Sequence, residues 1–133
     1  MPPRNLTDAY RTVTEYFDAL VSGDIERLAV MMSSAEFYVK IGTDAEEVIE
    51  GGENALDYYR HHAASTEDFS IGWEKLDVQE RDNVAWFYTR QRWCLKWCGI
   101  REELGMRMTG VLEKEGKCWR FVQIHASVGV PVK

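Results

Sequence analysis

The first half of the chain carries apolar residues every three to four positions, which is the period of an α-helix. This spacing predicts a first helix from Asn5 to Val21, with Gly23 ending it. A short second helix is predicted over Ile25–Met32, and a third over about Glu53–Ala64. The apolar stripe of the third helix places His62 inward and its neighbour His61 outward.

Strand-like alternation dominates the second half of the chain. It predicts long strands over Ile71–Gln79, Val84–Trp97 and Ile100–Glu113, and a last strand ending near Val128 after the turn Glu115-Gly116-Lys117. An earlier strand is predicted over Glu36–Ile41. Two helices, a strand, a helix and four hairpin-linked strands indicate an α+β fold. We therefore expect one domain over residues 1–133, with three helices packed on a curved, mostly antiparallel sheet around a conical cavity.

The early strand and the last strand each have two distinguishable faces. In the early strand, Val39 and Ile41 share one face and Tyr38 lies on the other. In the last strand, Val122, Ile124 and Ala126 share one face, opposite Phe121, Gln123, His125 and Ser127.

Composition narrows the class of protein. The 133 residues are 45% apolar and 29% charged, as in ordinary globular domains, and the net charge is -6. This acidity argues against a general nucleic-acid or anionic-membrane surface. We expect a cytoplasmic protein, because no export signal or membrane span is evident. The three cysteines Cys94, Cys98 and Cys118 predict free thiols, and no metal site or cofactor is expected.

Two segments carry a family resemblance. The sequences VTEYFDALVSGDIERLAVMM and GMRMTGVLEKEGKCWRFVQIHASVGVP resemble the opening helices and the closing hairpin of the nuclear transport factor 2-like superfamily, and within it the SnoaL-like group. The closing segment is also similar to the association domain of calcium/calmodulin-dependent protein kinases. The resemblance implies the cone-shaped fold predicted above. It leaves activity open, because this fold serves isomerases, cyclases, dehydratases, transport adaptors and assembly hubs.

The resemblance to ketosteroid isomerase, an enzyme of this superfamily, suggests two catalytic candidates. The tyrosine that stabilises the oxyanion matches Tyr16, whereas the aspartate that acts as general base falls at Val39, which cannot accept a proton. His62 is the second candidate, because a histidine can exchange protons near neutral pH. Both residues could instead serve only packing. Whether the protein is an enzyme stays open, since a complete set of acid, base and oxyanion groups is not identified.

The resemblance to the kinase association domain implies pocket positions at Tyr88, Thr109 and Ala126. Strand alternation then predicts an inner face that consists of Trp86, Tyr88, Arg90, Arg107, Thr109, Val111, Val122, Ile124 and Ala126. Inward arginines would pair with carboxylates or with an anionic ligand. By the same alternation His125 falls on the outer face, and it stays a secondary ligand-binding candidate because it lies in the recurrent His-x-Ser of the fold.

These expectations combine into two hypotheses. The first is a homodimer in which each chain encloses an apolar, aromatic-lined pocket for a small molecule, such as a carbonyl or polyketide-like compound. If it is catalytic, isomerisation, cyclisation or dehydration is the natural class. The alternative is a non-catalytic assembly module that uses an outer sheet face, predicted to consist of Phe87, Thr89, Gln91, Trp93, Phe121 and Gln123.

Overall fold

A computed structural model describes residues 8–33 and 38–131 of the chain. The helices are α1 (Asp8–Ser22), α2 (Ile25–Val30) and α3 (Gly52–Ser65). The strands are β1 (Val39–Ile41), β2 (Val48–Glu50), β3 (Thr66–Arg81), β4 (Val84–Trp97), β5 (Ile100–Glu115) and β6 (Cys118–Val128). The predicted start of the first helix and the beginning of the early strand lie outside the described residues.

The six strands form one sheet in the order β2-β1-β6-β5-β4-β3. All neighbouring pairs are antiparallel except β1 and β6, which run parallel. The α+β class, the three helices and the mostly antiparallel sheet are therefore confirmed. Two differences stand out: β2 forms in a segment for which no strand was predicted, and β3 begins at Thr66 rather than at Ile71.

The core lies between α1 and the inner face of the sheet. Phe17 and Phe121, each 1% exposed or less, meet Phe87 at ring-centroid distances of 6.4 and 6.0 Å. The amphipathic stripe predicted for α1 supplies Val13, Phe17 and Leu20 to this core, as expected. Large apolar side chains such as these supply most of the burial that stabilises a domain of this size.

The predicted inward faces of β4 and β5 are wrong. On β4 the buried residues are Ala85, Phe87, Thr89, Gln91 and Leu95, and on β5 they are Met106, Met108, Gly110 and Leu112. Trp86, Tyr88 and Arg90 are exposed on the opposite face, as are Arg107 and Thr109. The assembly surface predicted from the same alternation is wrong for Phe87, Thr89, Gln91 and Phe121, which are all buried.

The error lies in the pocket positions taken from the resemblance: Ala126 faces inward, but Tyr88 and Thr109 each lie one residue away from a buried position. Ala126 lies opposite Met108, whereas Thr109 lies opposite His125. Ile124 and Ala126 do face inward as predicted. A shift of one position moves every side chain of a strand to the other face, so each misplaced position reversed the faces predicted for its whole strand.

A bulge in β6 also changes the alternation within that strand. Leu112 pairs with Phe121 and Val111 pairs with Gln123, which leaves Val122 as an extra residue. Phe121 and Ile124 are consequently both buried although they are three positions apart. The single inward face predicted for Val122, Ile124 and Ala126 is therefore interrupted, and Val122 is only half-buried.

Candidate functional site

A cleft of about 390 Å³ opens between α3, β1 and the inner face of β4–β6. It is lined by Lys40, Thr43, Asp44, Glu47, Tyr58, His61, His62, Trp93, Leu95, Trp97, Glu102, Leu104, Met106 and Ala126. A pit of about 20 Å³ continues inward to Tyr16, Leu20, Tyr59, Met108 and Ile124. Both spaces share Lys40, Tyr58, His62, Trp93 and Ala126, so these five side chains mark the junction.

Two tyrosines that line the pit belong to a chain of buried hydroxyls. Tyr16 Oη and Tyr59 Oη lie 2.7 Å apart, and Tyr59 Oη lies 3.3 Å from Tyr38 Oη. Burial raises the pKa of Tyr16 and of Tyr59 well above the ordinary value, and it raises the pKa of Tyr38 to about 12. All three hydroxyls are protonated at neutral pH, but Tyr16 is already hydrogen-bonded to Tyr59 rather than presented freely to the cavity.

Lys40 is the charged side chain at the junction. Its Nζ lies 3.1 Å from Glu47 Oε2 and 4.2 Å from the centre of the Tyr58 ring, and its side chain is 8% exposed. Burial lowers the pKa of Lys40, while the neighbouring Glu47 carboxylate acts in the opposite direction. Burial raises the pKa of Tyr58, and Glu47 raises it further. An ammonium has three hydrogen-bond donors, so an amine at a cavity wall can serve a ligand as well as Glu47.

His62 lies in α3 and is 9% exposed, whereas His61 is exposed, as the helical pattern predicted. Its ring packs among Phe69, Trp93 and Trp97 at centroid distances of 5.3, 6.2 and 5.8 Å. Burial lowers the pKa of His62 to about 4, with smaller contributions from Lys40 and His61. The imidazole is therefore neutral at pH 7 and can accept a proton or a hydrogen bond.

Trp93 forms one wall of the cleft and is held in place by its own strand. Its Nε1 donates a hydrogen bond of 2.8 Å to Gln91 Oε1, and its ring packs 4.9 Å from Phe69. The sequence placed Trp93 on an outer assembly surface, which the structure contradicts. A tryptophan fixed by a hydrogen bond offers a rigid flat surface to an apolar ligand.

The predicted ligand-binding residues divide between two places. Ile124 and Ala126 line the cavity. Trp86, Tyr88, Arg90, Arg107, Thr109 and His125 lie together on the opposite side of the sheet, where Tyr88 pairs with Thr109, Arg90 with Arg107 and Thr109 with His125. The prediction from strand alternation that His125 faces outward is confirmed. The two predicted catalytic residues, Tyr16 and His62, both border the cavity.

Sequence reasoning missed Lys40, Glu47, Tyr58 and Trp97. Alternation in β1 already placed Tyr38 opposite Val39, and the same rule puts Lys40 on the Tyr38 face. Tyr38 and Lys40 are buried, whereas Val39 is half-buried on the other face. The side chain that β1 presents to the cavity is thus Lys40, and not Val39 as the comparison with ketosteroid isomerase had suggested.

Within residues 8–33 and 38–131, no grouping of three or more histidine, cysteine or acidic side chains is arranged to hold a metal ion. The same residues contain no helix that is long and apolar enough to cross a membrane.

The fold and the sequence both have known relatives. The model of the SnoaL-like domain family matches residues 10–132. A candidate dehydratase of the NTF2-like family from Streptomyces avermitilis superposes with a TM-score of 0.86 at 16% identity, covering 98% of this chain and 100% of that one.

Two further solved structures are similar. A ketosteroid isomerase-like protein from Erwinia carotovora atroseptica gives a TM-score of 0.79 at 14% identity, covering 98% of this chain and 100% of that one. A candidate calcium/calmodulin-dependent protein kinase II association domain from Xanthomonas campestris gives 0.77 at 19% identity, covering 99% and 95%. A search of curated proteins gave no match. The family match spans nearly the whole chain, and the protein therefore belongs to the SnoaL-like family, with the NTF2-like fold.

Proposed function

We propose that the cleft binds a small, largely apolar carbonyl compound whose oxygen accepts a hydrogen bond from Lys40. The observation that carries this proposal is a buried amine at the junction of two cavities whose other walls are mainly aromatic and aliphatic. Pockets of this kind orient a ligand through a few polar groups and bind its body by apolar contact.

The shape of the cleft supports a flat ligand. Tyr58, Trp93 and Trp97 supply ring surfaces, while Ala126 leaves room at the base because its side chain is a single methyl group. A volume of about 390 Å³ lies within the range of small-molecule sites. A compound of one or two rings would place its body between these walls and its carbonyl near Lys40.

If the protein is an enzyme, proton transfer next to the bound carbonyl is the chemistry that these groups favour. Lys40 would stabilise negative charge developing on the oxygen, and neutral His62 would accept or return the proton. This arrangement suits isomerisation, cyclisation or dehydration of a carbonyl compound. Tyr16 would act less directly, since its hydroxyl is hydrogen-bonded to Tyr59.

Tryptophan fluorescence provides a direct test, because Trp93 and Trp97 line the cleft. Titration with aromatic ketones, such as acetophenone and naphthyl ketones, is expected to quench the wild-type signal to saturation. Ala126→Phe would fill the base of the cleft and abolish saturable quenching. Thr109→Ser on the outer face is the matched control and should bind as wild type does. Equal quenching in all three proteins would contradict the proposal.

A second candidate function concerns the outer face of the sheet. Trp86 and Tyr88 are 36% and 41% exposed there, and Arg90 and Arg107 lie directly opposite each other on neighbouring strands. Like charges in that position repel, and neither guanidinium forms an ion pair with a carboxylate among the described residues. We propose that a second copy of the chain covers this face in a homodimer.

Sedimentation velocity tests the homodimer. Tyr88→Asp would place a carboxylate in the centre of the proposed interface, so the variant should sediment as a monomer at concentrations where the wild type is a dimer. Glu53→Gln on the exposed side of α3 serves as the control and should leave the dimer intact. A wild-type protein that is monomeric at all concentrations would refute this second proposal.

A further inference from the structure

Lys40 differs from every other lysine that the structure describes. The side chains of Lys75 and Lys96 are 47% and 41% exposed, and Lys114 and Lys117 are also exposed, whereas the side chain of Lys40 is 8% exposed. Lys40 also lines both the cleft and the pit. Lysines of this kind, with an amine inside an apolar cavity, are suited to attack carbonyl groups.

We propose that Lys40 forms a reversible imine with an aldehyde or ketone bound in the cleft. The inference rests on the proposed carbonyl-binding function and goes further, because it assigns a covalent step to one named atom, Lys40 Nζ. Carbonyl binding could occur without this step, so the two proposals can fail separately.

A nucleophilic amine must first lose a proton, and Glu47 is placed to take it. Lys40 Nζ and Glu47 Oε2 lie 3.1 Å apart, and the two side chains are only 8% and 12% exposed. Burial disfavours the charged form of Lys40, and its pKa is accordingly lowered by desolvation. Transfer of one proton from the ammonium to the carboxylate converts this buried ion pair into a neutral pair, which an apolar environment tolerates better.

The remaining steps balance with the groups already present. The neutral amine adds to the carbonyl carbon, and its proton moves to the oxygen, which gives a carbinolamine. The carbon–oxygen bond then breaks as the Glu47 carboxyl returns its proton to the leaving hydroxyl, and water departs through the open cleft. The products are a protonated imine on Lys40, the Glu47 carboxylate paired with it, and one water molecule. No oxidant or reductant is required.

The charges that line the cleft favour a neutral carbonyl ligand over an anion. Asp44 and Glu102 join Glu47 in the lining, where Lys40 is the one lysine or arginine among the described residues. Because Glu47 is paired with Lys40, Asp44 and Glu102 leave the lining with an excess of negative charge, which would repel a carboxylate or phosphate ligand. An aldehyde or ketone carries no charge to be repelled, and its carbonyl carbon is electrophilic towards an amine.

Reductive trapping tests the imine. Wild-type protein is incubated with 2-naphthaldehyde at pH 7.5, reduced with sodium cyanoborohydride, digested, and mapped by mass spectrometry. Adduct should accumulate faster at Lys40 than at Lys75 or Lys96, because the cleft holds the aldehyde beside this amine and a lowered pKa raises its neutral fraction. Lys40→Arg keeps a cation beside Glu47 but cannot form an imine, so this variant should show only the slow surface labelling.

Fluorescence titration with the same aldehyde, without reductant, separates the two proposals. Saturable binding with labelling concentrated at Lys40 supports both. Saturable binding with equal labelling of all lysines overturns the imine and leaves the carbonyl pocket standing. The absence of both saturable binding and selective labelling overturns both proposals. The comparison among lysines is made within the wild-type protein, so it does not depend on whether the variant folds.

Discussion

Replacing His62 with glutamine should remove a large part of the acid sensitivity of the fold. The imidazole is 9% exposed and its pKa is lowered from 6.5 to about 4, mainly because burial disfavours the charged form. The unfolded chain therefore binds a proton between pH 6.5 and 4 that the folded chain does not bind. Stability from this group is fully present above pH 6.5, and it is lost as the pH falls towards 4.

The size of the effect follows from the two pKa values. At pH 5 the unfolded histidine is almost fully protonated, whereas the folded one is mostly neutral, so His62 should lower the free energy of unfolding by about 2 kcal/mol relative to pH 7.5. Below pH 4 the loss should level off at about 3 kcal/mol. The His62→Gln variant has no group at this position that titrates in that range.

Urea unfolding at pH 7.5 and at pH 5, followed by far-ultraviolet circular dichroism, measures the difference. His61→Gln is the matched control, because it removes the adjacent but exposed histidine of the same helix. Wild type and His61→Gln should lose about 2 kcal/mol more than His62→Gln between the two pH values. The same loss in all three proteins would refute the assignment of a buried, neutral His62.

Two further substitutions test the packing behind the site. Gly110→Ala should destabilise the protein by about 1–3 kcal/mol in urea unfolding, because a methyl group there overlaps the Phe87 ring. Gly105→Ala on the same strand meets no atom within 4 Å and should be neutral or slightly stabilising, so equal losses would contradict the packing described. Tyr16→Phe removes the 2.7 Å hydrogen bond to Tyr59 and should lower the free energy of unfolding by about 1 kcal/mol; an unchanged value would show that this bond contributes no net stability.

The fold could be predicted because the apolar patterns, the turn residues and the order of the elements all indicate the same architecture. The stripe of α1, the ending at Gly23 and the hairpin turn around Gly116 specify local structure without reference to the rest of the chain. Only a few architectures are compatible with the order of these helices and strands. β2 was missed because Val48–Glu50 is short and lies in an acidic segment, and its pairing with β1 depends on tertiary contacts.

The site was harder to predict because alternation defines two faces of a strand without saying which one is inward. On β4 both faces carry aromatic side chains, with Trp86 and Tyr88 on one and Phe87 on the other, so hydrophobicity alone does not choose between them. The inward faces of β4 and β5 were chosen from the family resemblance, and the chosen positions were displaced by one residue. His62 was placed correctly because a helix with a single apolar stripe leaves no such ambiguity.

Lys40 was missed for a different reason. Lysine is rarely buried, so a sequence pattern that places it inward is naturally read as a solvated position. Its burial is compensated by Glu47, which lies seven residues along the chain in the segment between β1 and β2. A segment without regular helix or strand spacing gives no pattern from which this pair could be predicted. Buried ion pairs of this kind appear only when the chain is folded.

The most direct test of the central claim is a crystal structure of the protein with a bound aromatic ketone. We expect density for the ligand between Tyr58, Trp93 and Ala126, with its oxygen within hydrogen-bonding distance of Lys40 Nζ. Ligand density confined to the outer face beside Trp86 and Tyr88, or an occupied cleft in which the ligand oxygen points away from Lys40, would contradict it.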